Sequence, residues 1–137
     1  MQHPKKERTL VVIKPDGIQR SLVGEIFHRY ERLGLKVVAL KMLVPTEEHV
    51  ETHYTLDPNW KQVAGEKAIA SYGKKGIEPP SEDPLEVGQR VLDGPKKYLT
   101  AGPVIAIIWE GAHAVQIVRK ITKVAQNKHF CNQLTWK

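Results

Sequence analysis

Apolar positions along the chain fall into two rhythms, short continuous runs and runs at helical spacing. Thr9 to Ile13 (TLVVI) is a β-branched apolar stretch closed by Lys14-Pro15-Asp16-Gly17. A run of this length that ends in a Pro-Asp-Gly turn predicts a buried strand. Beyond it Leu22, Ile26, Tyr30 and Leu33 recur at helical spacing, with Phe27 alongside. Ser21 is the expected N-cap of that helix and Gly34 its stop. Leu35 to Val44 predicts a second strand, closed by Pro45. Thr46, with Glu48 and His49 behind it, opens a helix expected to carry His53 and Tyr54.

The middle of the chain has a different texture. Asp57-Pro58 breaks it, and Trp60 to Tyr72 predicts a weak helix. Gly73 to Pro84 clusters Gly, Pro and charge and predicts a loop. Leu85 to Leu99 can be helical but is punctuated by Gly88, Gly94 and Pro95. Pro103 to Trp109 is a continuous apolar run suited to a covered strand. Glu110-Gly111 is expected to turn into a helix over about Ala112 to Ile121, with Val115, Val118 and Ile121 on one side. The resulting order, β-α-β-α-(α-α)-β-α, favours helices packed on a small sheet. A split βαβ, ferredoxin-like arrangement fits if one more strand follows the last helix. Lys123 to Lys137 shows no clean alternation, so no strand is expected there.

Composition narrows the class. The chain has 137 residues, 21 Lys and Arg against 15 Asp and Glu, a formal net charge of +6, 41% hydrophobic and 26% charged residues. Such a chain is globular, long enough to bury a core, and not disordered by default. Its length predicts a single domain, 1–137. The longest apolar run, Val104 to Trp109, is far short of the ~18 residues of a membrane span. MQHPKKER has no apolar stretch after its charges and does not read as a secretory signal. A single cysteine, Cys131, fits a reducing compartment, so a cytoplasmic location is expected. Lys123, Lys128 and Lys137 lie in an acid-free tail. A basic surface could attract nucleic acid or a phosphorylated small molecule. A solvated tail is the simpler reading, and nucleic acid ranks last among the partners.

Few residues carry chemistry by spacing alone. Lys14 sits at the end of the first strand, where ligands approach such sheets and an ammonium suits a phosphate oxygen. Taken singly, Lys14 is a surface lysine, Tyr54 a packing residue and Arg119 a solvated charge. His49 and His53 are one helical turn apart, but no third metal ligand stands near them in sequence. Walker A, G-x-S-x-G and Gly-rich dinucleotide motifs are absent.

Together the motifs say more. TLVVIKPDGIQRSLVGEIFHRYERLGLKVVALKML, the pair His53-Tyr54, and GPVIAIIWEGAHAV from Gly102 to Val115 occur in one order. In that order the chain resembles the nucleoside diphosphate kinase family, over about residues 8–56 and 96–122. The resemblance implies an α+β, ferredoxin-like (βαββαβ) sandwich with a four-stranded antiparallel sheet. It implies transfer of the γ-phosphate from a nucleoside triphosphate to a nucleoside diphosphate through a phosphohistidine. Mg²⁺ with ATP or another triphosphate would be the cofactor, the ion held mainly by nucleotide phosphates. The implied partners are nucleoside di- and triphosphates and further copies of the chain, as a tetramer or hexamer, with no membrane. Lys14 matches the family's strand-end lysine, Tyr54 a tyrosine that helps position the site, and Arg119 the arginine that grips the phosphates with a planar fork.

The chain departs from the family in three places. Residues between Asp57 and Val87 are extra relative to shorter members, making about 57–95 an inserted helical and loop region. The family's base-stacking phenylalanine falls near Val91, which has no ring to stack. After Thr122 the match stops, leaving 123–137 as a non-family tail. The G-T-I-R-G-D and N-x-x-H-G-S-D segments are absent, so no catalytic histidine is identified. His129 comes too soon after Arg119 and lacks the motif's neighbours. A natural truncation, a frameshift or a mistaken gene end after about Thr122 would explain the abruptness. The fourth strand is therefore expected to be missing or replaced, leaving a bare sheet edge and a less stable chain.

Overall fold

The computed structural model describes the backbone of residues 6–126 and 134–136 and the side chains of residues 6–122. In chain order the elements are β1 (Glu7–Ile13), α1 (Pro15–Gln19), α2 (Val23–Glu31), β2 (Lys36–Leu43), α3 (Glu47–Tyr54), α4 (Trp60–Lys74), α5 (Pro84–Leu99), β3 (Val104–Gly111), α6 (Ala114–Gln126) and β4 (Leu134–Trp136). They form two compact units. One comprises Met1–Val44 with Gly102–Lys137, the other Pro45–Ala101.

The first unit is an antiparallel sheet of order β2-β3-β1-β4 with α2 and α6, the expected ferredoxin-like arrangement. Alternation decides which side chains meet the helices. Val11 and Ile13 of β1 and Ile105, Ile107 and Trp109 of β3 are buried in the core shared with Ile26, Tyr30, Leu35, Ala114 and Val118. Trp109 is the largest of them. Phe27 meets its ring edge-on with centroids 5.3 Å apart, and Tyr30 lies tilted at 5.1 Å. Such pairs add roughly 0.5–1.5 kcal/mol to the burial itself. On α6, Ala114, Val118 and Thr122 recur every four residues and are buried. The Thr122 hydroxyl is satisfied by donating to the Val118 carbonyl at 2.8 Å.

Several boundaries differ from the sequence pattern. Pro15–Gln19 is a short helix rather than a simple turn, with proline at its first position where the missing N–H costs nothing. Ser21 does not cap α2. It takes a left-handed conformation (φ 58°), and Leu22 occupies the cap position with no side-chain bond. β3 does not turn at Glu110 but runs on to Gly111. The nearly buried Glu110 carboxylate is clamped across the ladder by Arg8 (2.7 Å) and Lys36 (2.9 Å), its register partners on β1 and β2. α6 accordingly starts only at Ala114, where the Val115 N–H donates to the Glu7 carboxylate at 3.2 Å.

The largest correction is at the tail. No strand was expected in Lys123 to Lys137, yet Leu134–Trp136 pairs antiparallel with Leu10 to Val12 of β1. The fourth strand is thus replaced by three residues. A pattern of period two needs more than three positions to register, so the alternation rule had nothing to detect.

The second unit holds α3, α4 and α5. α3 opens with a capping box: Thr46 Oγ1 accepts from the His49 N–H (3.1 Å), and His49 Nδ1 accepts from the Thr46 N–H (3.3 Å). α5 is one continuous helix through Gly88, Gly94 and Pro95. Asp83 caps it, accepting from the Leu85 N–H at 3.0 Å. α4 and α5 approach each other backbone to backbone. A Cβ on Gly65 would overlap the Pro84 carbonyl, and one on Gly88 the Lys61 carbonyl. The glycines that break the helical pattern in sequence are therefore what the packing of these helices requires. Glu51 of α3 ties the unit together, pairing with Lys61 of α4 (3.2 Å) and Lys96 of α5 (2.9 Å). The Lys96 bond, then the Lys61 bond, hold its carboxyl below the usual carboxylate range.

Candidate functional site

Lys14 follows the last residue of β1, a strand with neighbours on both sides, and serves as N-cap of α1. Its backbone is extended (φ −74°, ψ 166°), and its carbonyl accepts from the Gly17 N–H (3.0 Å) and the Ile18 N–H (3.3 Å). Pro15 is held from the far side, since Gly102 backs onto its ring. The half-buried lysine therefore leaves a fixed point at the sheet's end. Arg119 is exposed on α6, one position after the fully buried Val118 that anchors that helix to the sheet.

Tyr54 belongs to the helical unit. It ends α3, half-buried, with His53 edge-on at 5.8 Å and Trp60 edge-on at 5.3 Å. Burial raises the Tyr54 phenol above its ordinary value of 10.0, so the hydroxyl stays protonated and can donate. Burial also lowers His53 from 6.5, favouring the neutral imidazole. Trp60 was not singled out by the sequence. The signal was there in part, because Asp57-Pro58 folds the chain back just before it, and Asp57 Oδ1 accepts from the Asn59 N–H at 2.9 Å.

Of the three site residues marked by the sequence, the sheet unit carries Lys14 and Arg119 and the helical unit carries Tyr54. Val91 is exposed on α5. His49 has a structural task, because its Nδ1 lone pair closes the α3 cap. Among the described residues no group of three or more His, Cys, Asp or Glu is placed to hold a metal ion. No helix among them is long and apolar enough to cross a membrane. His129, Cys131 and the tail lysines lie outside the described side chains.

Comparison with known proteins points to one family. The model of the nucleoside diphosphate kinase family matches residues 7–66. A nucleoside diphosphate kinase of Pyrobaculum aerophilum is 42% identical over 119 residues, covering 84% of this chain and 65% of that protein. Over most of its length the chain is similar to nucleoside diphosphate kinases. The crystal structure of an NDP kinase from Pyrobaculum aerophilum matches with a TM-score of 0.80 at 40% identity, over 85% of this chain and 66% of that one. A halophilic family member from Halobacterium salinarum, solved in complex with CDP, matches with a TM-score of 0.55 at 33% identity, over 85% of this chain and 58% of that one. The chain thus spans somewhat less than two thirds of the length of these kinases. The family match begins at the strand that leads to Lys14 and runs through Tyr54.

Proposed function

We propose that this chain binds nucleoside di- and triphosphates and serves the transfer of the γ-phosphate from a triphosphate to a diphosphate through a phosphohistidine. The observation that carries the reading is Lys14, set on a fixed strand end in a fold that matches an NDP kinase with a TM-score of 0.80. In this reading the Lys14 ammonium neutralises charge on the phosphate being transferred. Arg119 grips phosphate oxygens with two parallel N–H donors. Tyr54, held protonated by burial, donates a hydrogen bond. Mg²⁺ carried on the nucleotide phosphates would offset their charge. The chain would assemble with copies of itself, and a cytoplasmic location fits these substrates.

One observation favours a second reading, nucleotide binding without transfer. The sequence from 123 to 137 contains no N-x-x-H-G-S-D segment. The two separate in one experiment. The purified chain is given γ-labelled ATP and Mg²⁺, the protein is tested for acid-labile, base-stable label, and GDP is added as a chase. Label that passes to GDP supports transfer. No label, with ATP binding that Lys14→Ala abolishes, supports the binding-only reading. No binding at all sinks both.

A further inference from the structure

α3 is eight residues long, and Val50 is its one buried residue. A helix that short does not hold itself in water, so its place depends on what ties it to its neighbours. A single buried anchor fixes a point but not a direction. Tyr54 stands a full turn beyond that anchor, at the C-terminal end. Glu51 supplies the further ties. Its Oε1 accepts from Lys61 Nζ at the start of α4 (3.2 Å), and its Oε2 accepts from Lys96 Nζ near the end of α5 (2.9 Å). Its main chain has a separate task. The Glu51 carbonyl accepts from the Thr55 N–H (2.9 Å) and from Thr55 Oγ1 (2.8 Å), closing the turn that contains Tyr54.

The partners of Glu51 are themselves held. Lys61 adjoins Trp60, whose ring meets the Tyr54 ring edge-on at 5.3 Å. The Lys61 carbonyl lies where a Cβ on Gly88 would be, so its backbone is locked against α5. The Lys96 side chain is only 16% exposed, so its bond to Glu51 is made largely out of solvent and is weakly screened. Glu47 stands 4.0 Å from the same ammonium but is 75% exposed and adds little. Glu25 and Glu86 differ from Glu51, since each pairs with an arginine four residues on in its own helix. Such pairs stiffen one helix, whereas the Glu51 carboxylate joins three.

We infer, given the proposed part of Tyr54 in nucleotide binding, that Glu51 is a positioning residue for Tyr54: bridged to α4 and α5, its carboxylate sets the angle at which α3 presents the Tyr54 hydroxyl to bound nucleotide. Val50 holds α3 down, and Glu51 keeps it from turning. With the carboxylate made neutral, Lys61 and Lys96 lose the charge between them and repel. The end of α3 then moves until each ammonium regains water, and the Tyr54 hydroxyl moves with it.

The test is a double-mutant cycle on the full chain, with the dissociation constant for ATP and Mg²⁺ read by calorimetry. Glu51→Gln should weaken binding roughly threefold to tenfold, the size of an effect passed through a neighbouring residue. Glu51→Asp, which keeps the charge one methylene shorter, should recover part of that loss. In a Tyr54→Phe background Glu51→Gln should cost little more, because the hydroxyl it places is already gone. Thr46→Ala loosens the other end of α3 and should leave binding as it is, which separates positioning from loss of stability. Lys61→Met leaves the Lys96 bond in place and should show a smaller loss by the same route, and it carries the test if Glu51→Gln fails to fold. Wild-type affinity in both Glu51→Gln and Lys61→Met, a full additional loss in the Tyr54→Phe background, or an equal loss in Thr46→Ala would each overturn the proposal. Unchanged binding by Tyr54→Phe alone would instead remove Tyr54 from the nucleotide site, and the role of Glu51 with it.

Discussion

Replacing Gly88 by alanine tests the backbone contact in the helical unit. An added Cβ would sit 2.7 Å from the Lys61 carbonyl carbon, while its optimal separation from carbon is about 3.5–4.0 Å. The helices must therefore part by roughly 0.8 Å or more along that line, since a backbone carbonyl cannot rotate away. Overpacking of this kind costs about 1–3 kcal/mol. Alanine returns about 1 kcal/mol of helix propensity. A net loss of up to about 2 kcal/mol remains, toward the upper end because the obstructing atoms are main chain. Gly73 in α4 is the control, with nothing within 4 Å of the position of its Cβ. Gly73→Ala should gain up to about 1 kcal/mol. Urea unfolding followed by far-UV circular dichroism reads both signs. Lys61 adjoins Trp60, whose ring lies against Tyr54. Gly88→Ala should therefore also weaken ATP binding, and Gly73→Ala should leave it unchanged. A stabilised Gly88→Ala would refute the contact.

Other outcomes follow from the same structure. Thr46→Ala removes the hydroxyl that accepts from the His49 N–H and should cost about 1 kcal/mol, read by thermal unfolding. The Lys36 and Arg8 bonds lower Glu110 below 4.5, so the stability it contributes is complete above that value and lost as pH falls through the folded value. Glu110→Gln should flatten the acid limb of the stability curve in that window, and an unchanged limb would count against the clamp. Burial lowers His53, so stability should decline as pH drops below 6.5 and level off beneath the folded value, and His53→Phe should abolish that step. Arg119→Ala should weaken ATP binding roughly tenfold or more by calorimetry, the cost of a charged hydrogen-bond pair.

Local rules read much of this fold correctly because local physics dominates where it was legible. The β1 run, the cap at Thr46 and the i, i+4 pair Ile26 and Tyr30 are each settled within a few residues. Extended pairing was harder to read. Glu110 resembles a turn residue until Arg8 and Lys36 arrive from other strands to neutralise it. Gly88 and Pro95 resemble helix breakers, but a neighbouring helix makes the first a contact, and Gly94 before the proline spares α5 a Cβ clash with its ring. Among the candidate site residues, Lys14 and Tyr54 are visible as parts of a motif, while Trp60 is signalled only by the Asp57-Pro58 break before it, because ring contacts leave no spacing rule.

The placement of the helical unit has a kinetic consequence. β2 and β3 pair up to Leu43 and Val104, and all of Pro45–Ala101 lies in the loop between those two residues. Closing a loop costs entropy that grows slowly with its length. If α4 and α5 zip first, through contacts nearer in sequence than any between β1 and β3, the chain to be closed is already short. Folding would then run from the inserted helices outward, with the sheet that carries Lys14 completed last.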